Sequence, residues 1–191
     1  MTATATLLRS IPDAPAWIEL RSELLAGATA EVDDIGAVVR GISSPLLFVI
    51  GEPDARLILD AIESFPNVDL LAPPESRTYV ERVTGRVGMR ADVLSLRHAD
   101  RLPRPEGTRS FELLDAPLLD DVPEPTRAEL RRALSTRPMF AALEAERAVS
   151  FAYAASITET LFDVSIDTLE PFRLAFRLGF EPAGEVWVFH H

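Results

Sequence analysis

The chain has no cysteine, and no lysine or glutamine either; its 19 basic residues are all arginine. Without cysteine there is no disulfide framework, no thiolate nucleophile and no sulfur-ligated metal. Histidine is nearly as scarce. Two of the three, His190 and His191, stand side by side at the end of the chain and read as a solvated tail or tag remnant, so no metal is expected. The third, His98, closes a strand ahead of a proline-rich stretch, and no Gly-x-Ser-x-Gly turn is there to present a nucleophile. Glycine-rich phosphate loops are missing as well. Gly51-Glu-Pro-Asp54 precedes a helix, but one glycine does not make a dinucleotide turn, and Glu52 and Asp54 would repel a phosphate. A capped helix start is expected there. No run approaches the ~20 apolar residues that span a bilayer, and Met1-Thr-Ala-Thr-Ala-Thr6 lacks the basic and apolar regions of a signal peptide. A cytoplasmic, bacterial protein with no membrane partner is the expectation. The missing lysine and glutamine read as the codon bias of a GC-rich genome and carry no mechanism.

Acid is in excess: 30 Asp and Glu give a formal net charge of -11. Phosphate binding needs clustered cations, so nucleic acid is not an expected partner, whereas a cationic or amine substrate is tolerated. A chain of 191 residues, 47% hydrophobic and 26% charged, has the apolar residues for a real core and holds one domain or two small ones.

The first half reads as an α/β layer. Trp17, Ile18, Leu20, Leu24 and Leu25 recur at helical spacing between Asp13, in a capping position, and Gly27. A second short helix is expected over Val32 to Arg40. Strands are expected at Pro45 to Ile50, Val68 to Ala72 and Met89 to Leu96, alternating with helices at Pro53 to Phe65 and Ser76 to Val83. Arg101 to Thr108 looks like a linker, Phe111 to Leu114 a short strand, and the acidic, proline-rich Asp115 to Pro125 a surface loop. Thr126 caps a helix over Arg127 to Leu134. Past Pro138 the character becomes antiparallel β, with strands at Met139 to Leu143, Val149 to Ile157 and Leu161 to Thr168, and a last strand at Gly184 to Phe189.

The stretch Leu161-Phe-Asp-Val-Ser-Ile-Asp-Thr168 alternates, which puts Phe162, Val164 and Ile166 on a buried face and Asp163, Ser165 and Asp167 on the other. It runs directly into a helical segment, Leu169-Glu-Pro-Phe-Arg-Leu-Ala-Phe-Arg-Leu178, that ends at Gly179. The strands from Phe140-Ala-Ala-Leu-Glu144 and Val149-Ser-Phe-Ala-Tyr153 to Asp163-Val-Ser-Ile-Asp-Thr168 resemble the central strands of the GNAT acyltransferase family. Leu174-Ala-Phe-Arg-Leu-Gly-Phe-Glu-Pro-Ala-Gly-Glu185 resembles that family's last helix and the Gly-Phe turn behind it. The resemblance covers roughly Phe111 to the C-terminus. It implies an α/β (α+β) fold: a mixed, largely antiparallel sheet flanked by helices in a shortened C-terminal half, 108–191, preceded by a small α/β N-terminal half, 1–107.

The resemblance also implies an acyl-CoA-dependent N-acyltransferase that takes acetyl-CoA as cofactor and a small-molecule amine as acceptor. On that reading Asp163 and Asp167 supply the general base, Tyr153 protonates the leaving thiolate, and Thr168 and Arg173 meet the cofactor's phosphates. Each residue also has a plain structural explanation. Alternating Asp and Ser commonly form a solvated sheet face, a tyrosine is commonly a core aromatic with a satisfied hydroxyl, and Arg173 can pair with Glu170. Between the two motifs Arg173 runs straight into Leu174, and no glycine occurs between Asp163 and Gly179. The family's pyrophosphate turn, the helix after it and its fifth strand are thus absent from the sequence. The alternative is a degenerate GNAT-like domain that binds no acyl-CoA and serves in binding or assembly, as a homodimer formed where C-terminal strands meet.

Overall fold

The computed structural model describes residues 3–42, 44–95, 108–111, 119–120, 122–124, 126–136, 139–144, 147–167 and 180–191. The chain forms two units: Met1–Ser95 with Thr158–Leu161 and Pro182–His191, and Leu96–Ile157 with Phe162–Glu181.

In the first unit, helices α1 (Ala3–Ser10) and α2 (Ile18–Leu25) lead into strands β1 (Thr29–Val32), β2 (Gly36–Arg40) and β3 (Leu46–Gly51). Helix α3 (Ala55–Ser64), strand β4 (Asp69–Ala72), helix α4 (Arg77–Thr84) and strand β5 (Met89–Ser95) follow. Alternation along the strands creates two cores. Ala37, Val39 and Phe48 pack with Leu7, Leu20 and Leu24 of α1 and α2, whereas Val38, Leu47 and Val49 pack with Ile58 of α3 and Val80 of α4. The sheet is therefore sandwiched between helix pairs, and β3 is buried on both faces, as its unbroken apolar run predicts. The five strands and helices expected at 45–50, 53–65, 68–72, 76–83 and 89–96 all stand within about two residues of their expected ends.

Two expectations fail here. Val32 to Arg40 is not a helix: β1 and β2 form an antiparallel hairpin with Val32 opposite Ala37. The cause is the turn between them, where the Asp33 carboxylate accepts from the backbone N–H of Ile35 and Gly36, at 2.9 and 2.8 Å. That local bonding replaces a helix's first turn and leaves the β-branched residues to pack as strands. Asp13 does not cap a helix either. A 3-10 turn over Pro15–Trp17 precedes α2, and neither it nor α2 has a side-chain cap.

The first sheet has the strand order β1-β2-β3-β4-β10-β5, in which β10 (Glu181–Phe189) comes from the end of the chain. Strand β3 pairs parallel with β4, while the β1/β2, β2/β3 and β4/β10 pairs are antiparallel. Phe189 lies opposite Leu70 and is fully buried in the α3/α4 core.

The second unit contains β6 (Thr108–Phe111), α5 (Thr126–Thr136), β7 (Met139–Glu144), β8 (Arg147–Ile157) and β9 (Phe162–Asp167), with the four strands antiparallel in sequence order. Leu130, Ala133 and Leu134 of α5 cover Met139, Ala141, Phe151 and Tyr153. Leu119, within the stretch expected at the surface, is instead fully buried in the same core. Phe162 of β9, expected on a buried face, is not buried. Phe162 is 63% exposed, as are its register partner Ile157 (47%) and Phe140 (54%). Ser165 and Asp167 are the register partners of Tyr153 and Phe151. A register irregularity between Ala154 and Ser156 sits in the middle of this pairing. A period-2 pattern identifies the strand but not which side the helix covers.

Candidate functional site

In α/β sheets, ligands bind beyond the carboxyl ends of the parallel strands. In the first unit that place is the end of β3 and β4. Their ladder runs Leu46–Asp69, Leu47–Leu70 and Phe48–Leu71, and beyond it β3 continues to Gly51. Gly51 turns the chain with φ +66, and a Cβ there would come within 2.3 Å of the Ile35 carbonyl oxygen, so only glycine fits. Glu52, Pro53 and Asp54 then deliver the chain to α3.

The N-terminus of α3 offers the backbone N–H groups that hold an anion in many folds. Here the protein's own acceptors take them. Asp54 caps the helix, its Oδ1 accepting from the Arg56 N–H at 2.9 Å. The Asp54 N–H donates to Asp33 Oδ2 at 2.5 Å, the Glu52 N–H to the Ile35 carbonyl at 3.2 Å, and the Leu57 N–H to the Asp54 carbonyl at 2.9 Å. The Asp33 carboxylate thus gathers three backbone N–H groups, from Asp54, Ile35 and Gly36. These bonds, Asp54's foremost, hold its carboxyl below the usual range. The expectation of a capped helix start at Gly51 to Asp54 is met, and the cap comes from two directions.

Tyr79 of α4 closes the other side, its hydroxyl donating to the Pro53 carbonyl. Burial pushes the phenol's pKa up, and the neighbouring Asp54, Glu52 and Asp33 add to that rise against Arg82. Just before α4, Ser76 is fully buried and its Oγ has no hydrogen-bond partner. Arg77 is committed elsewhere: its guanidinium stacks over Trp187 at 3.7 Å and donates to Glu81 at 3.0 Å. A pyrophosphate at the start of α3 would need free N–H donors; Arg56 stands in the first turn, but the phosphates would also meet the carboxylates of Asp33, Glu52 and Asp54. The donor set does not fit an acyl-CoA pyrophosphate.

The second unit contains the residues that the sequence singles out. Tyr153 is buried with Met139, Phe151 and Leu130, and its hydroxyl donates to Glu129 Oε1 of α5. It is a core tyrosine with a satisfied hydroxyl. Asp163 is partly buried opposite Ser156, and Asp167 pairs with Phe151 at the far end of β9. Thr168, Arg173 and the helix expected over 169–178 lie outside the described residues. Among the described residues no group of three His, Asp or Glu side chains is placed to hold a metal.

The sequence reading missed Asp33, although Asp-x-x-Gly between apolar segments is a turn signature of the kind in which Asp bonds to backbone ahead of it. It also missed Asp13, whose carboxylate accepts from Thr158 and Thr160, and Arg21, which grips Glu159. Contacts 138 to 147 residues apart leave no local signal.

No family model matches the chain, and no curated protein matches its sequence. Solved structures do match its fold. A GCN5-related N-acetyltransferase-like protein from Streptococcus suis aligns over 97% of this chain and 96% of its own, with a TM-score of 0.58 at 17% identity. A GCN5-related N-acetyltransferase from Kribbella flavida aligns over 100% and 96%, with a TM-score of 0.55 at 13% identity. A conserved protein of unknown function from Staphylococcus epidermidis aligns over 85% and 93%, with a TM-score of 0.52 at 11% identity. The fold is therefore GNAT-like, a mixed α/β arrangement whose six-stranded sheet is mostly antiparallel and flanked by helices. The likeness runs over nearly the whole chain, beyond the C-terminal half to which the sequence motifs pointed.

Proposed function

We propose that this GNAT-like protein acts in binding or assembly and takes no acyl-CoA at the parallel-strand ends of its first unit. The observation that carries the reading is the Asp33 carboxylate on the Asp54 N–H. A helix N-terminus recognises anions through unpaired donors and a positive dipole end; at α3 two carboxylates already use both. The sequence adds that the second half lacks a glycine-rich turn after Arg173. A homodimer remains part of this reading, with β9 one of the two described edge strands of its sheet and β6 the other.

The second reading is a GNAT-type N-acyltransferase that takes acetyl-CoA and a small-molecule amine. Its support is the fold itself, together with a net charge of -11 that suits a cationic acceptor. Acid catalysis by Tyr153 would require its hydroxyl to leave Glu129. A cytoplasmic setting suits either reading; among the described residues no helix is long and apolar enough to cross a membrane.

Thermal unfolding with and without acetyl-CoA separates the two. A ligand at a hundredfold its Kd adds ~2.7 kcal/mol, worth about 5–10 °C in a chain of this size. The assembly reading expects an unchanged Tm at millimolar acetyl-CoA together with a dimer in sedimentation at micromolar protein. A rise of several degrees would favour the acyltransferase.

A further inference from the structure

The four residues Thr158–Leu161 join β8 to β9, yet they belong to the first unit while both strands belong to the second. Two charged residues from the start of the chain hold them. Asp13 Oδ1 accepts from the Thr158 hydroxyl at 2.6 Å, and Oδ2 accepts from both the Thr160 hydroxyl at 2.6 Å and its N–H at 3.1 Å. Arg21 donates to Glu159 through Nε and Nη2, at 2.7 and 2.6 Å, the bidentate geometry in which guanidinium best matches carboxylate. Its remaining nitrogen, Nη1, donates to the Leu8 and Ile11 carbonyls at 2.9 and 2.5 Å. Those carbonyls lie at the C-terminal end of α1, where cations are favoured. Arg21 is thus fixed from behind before it reaches Glu159.

The turn does not need this grip to exist. The Thr158 N–H donates to the Leu161 carbonyl at 2.8 Å, and the Leu161 N–H returns a bond to the Thr158 hydroxyl at 3.0 Å. A loop of this length closed by its own bonds persists as a hairpin turn. The contacts from Asp13 and Arg21 therefore attach a preformed element; they do not fold it. The contacts to Glu159 and Thr160 end on exposed residues, where water can replace them, whereas the Thr158 hydroxyl is buried and also bonds to the Leu161 carbonyl at 3.3 Å within the turn.

We propose that Asp13 and Arg21 form a releasable clasp on the 158–161 turn, with a closed state in which the adjoining ends of β8 and β9 are held and an open state in which that hairpin end frays while its turn stays formed. Local opening of this kind involves few apolar contacts and exposed polar ones. The exposed Ile157 and Phe162, immediately outside the clasped residues, supply little packing to resist it.

Native-state amide hydrogen exchange on the full chain tests the clasp. In Asp13→Ala, and separately in Arg21→Ala, amides of Ser156, Ile157, Phe162 and Asp163 should exchange at least about tenfold faster, with those of β3 and α3 unchanged. Thr160→Val, which removes one donor and keeps the N–H, should give the same pattern at smaller amplitude and guards against misfolding of the charge variants. Unchanged exchange at 156–163 in all three variants would overturn the proposal. So would uniform acceleration across both units, because the contacts would then support global stability alone.

Discussion

Tyr153 separates a structural side chain from a catalytic one, and two substitutions divide its ring from its hydroxyl. The ring is 6% exposed and packs with Leu130, Leu134, Met139, Ala141 and Phe151. Removing a buried aromatic ring leaves a cavity that its neighbours fill only in part, a cost of about 3–5 kcal/mol. For a chain of this length that lowers Tm by roughly 6–20 °C. The hydroxyl contributes less. It donates to Glu129, which lies on the exposed side of α5, so water can solvate that carboxylate once the donor is gone. Tyr153→Phe should then cost about 1 kcal/mol, near the middle of the range for single hydrogen bonds. Thermal and urea unfolding of both variants gives the two numbers, with the urea slope unchanged if the unfolded state is unaffected. The reasoning is refuted if Tyr153→Ala costs under 1 kcal/mol. It is equally refuted if Tyr153→Phe keeps its Tm while abolishing a measurable acyl transfer, since the hydroxyl would then serve chemistry instead of the core.

Ser76→Ala should raise stability by about 1 kcal/mol, because it removes a buried hydroxyl that has no partner; a loss of stability in urea would reveal a bound water there. Gly51→Ala should cost at least about 2 kcal/mol, since it places a Cβ 2.3 Å from the Ile35 oxygen at φ +66, and a fully stable variant would contradict the turn described. The Asp13 carboxyl lies below its ordinary value of 3.8, chiefly through the Thr158 and Thr160 hydroxyls. A depressed carboxyl contributes stability above its unfolded pKa and loses it as pH falls through the folded one. Stability measured below pH 3.8 should accordingly decline less steeply in Asp13→Asn than in the parent chain.

Much of the fold was legible because it depends on patterns of short range. The apolar run through Leu47, Phe48 and Val49 predicts a strand buried on both faces, and Asp54 ahead of Leu57, Ile58 and Ala61 predicts a capped amphipathic helix. Leu130 and Leu134, four apart, do reach the core of the second unit. What escaped depends on partners. Val32 to Arg40 has spacing compatible with a helix, and only the side-chain turn at Asp33 decides for a hairpin. The exposure of Phe162 ran against the assigned faces because the covering helix, α5, lies some thirty residues earlier and packs on Tyr153. The site suffered most. Asp33 reaches Asp54 across 21 residues, and Asp13 reaches Thr160 across 147. Neither pairing leaves a trace in composition or periodicity.

The claim that the start of α3 is closed to acyl-CoA is tested most directly by following the backbone amides of residues 51–57 by NMR as acetyl-CoA is titrated to millimolar concentration. The account predicts that the Glu52, Asp54, Arg56 and Leu57 amides do not move, because Ile35, Asp33 and Asp54 already accept from them. Saturable shifts centred on those four amides would show that the carboxylates give way to phosphate, and would contradict it.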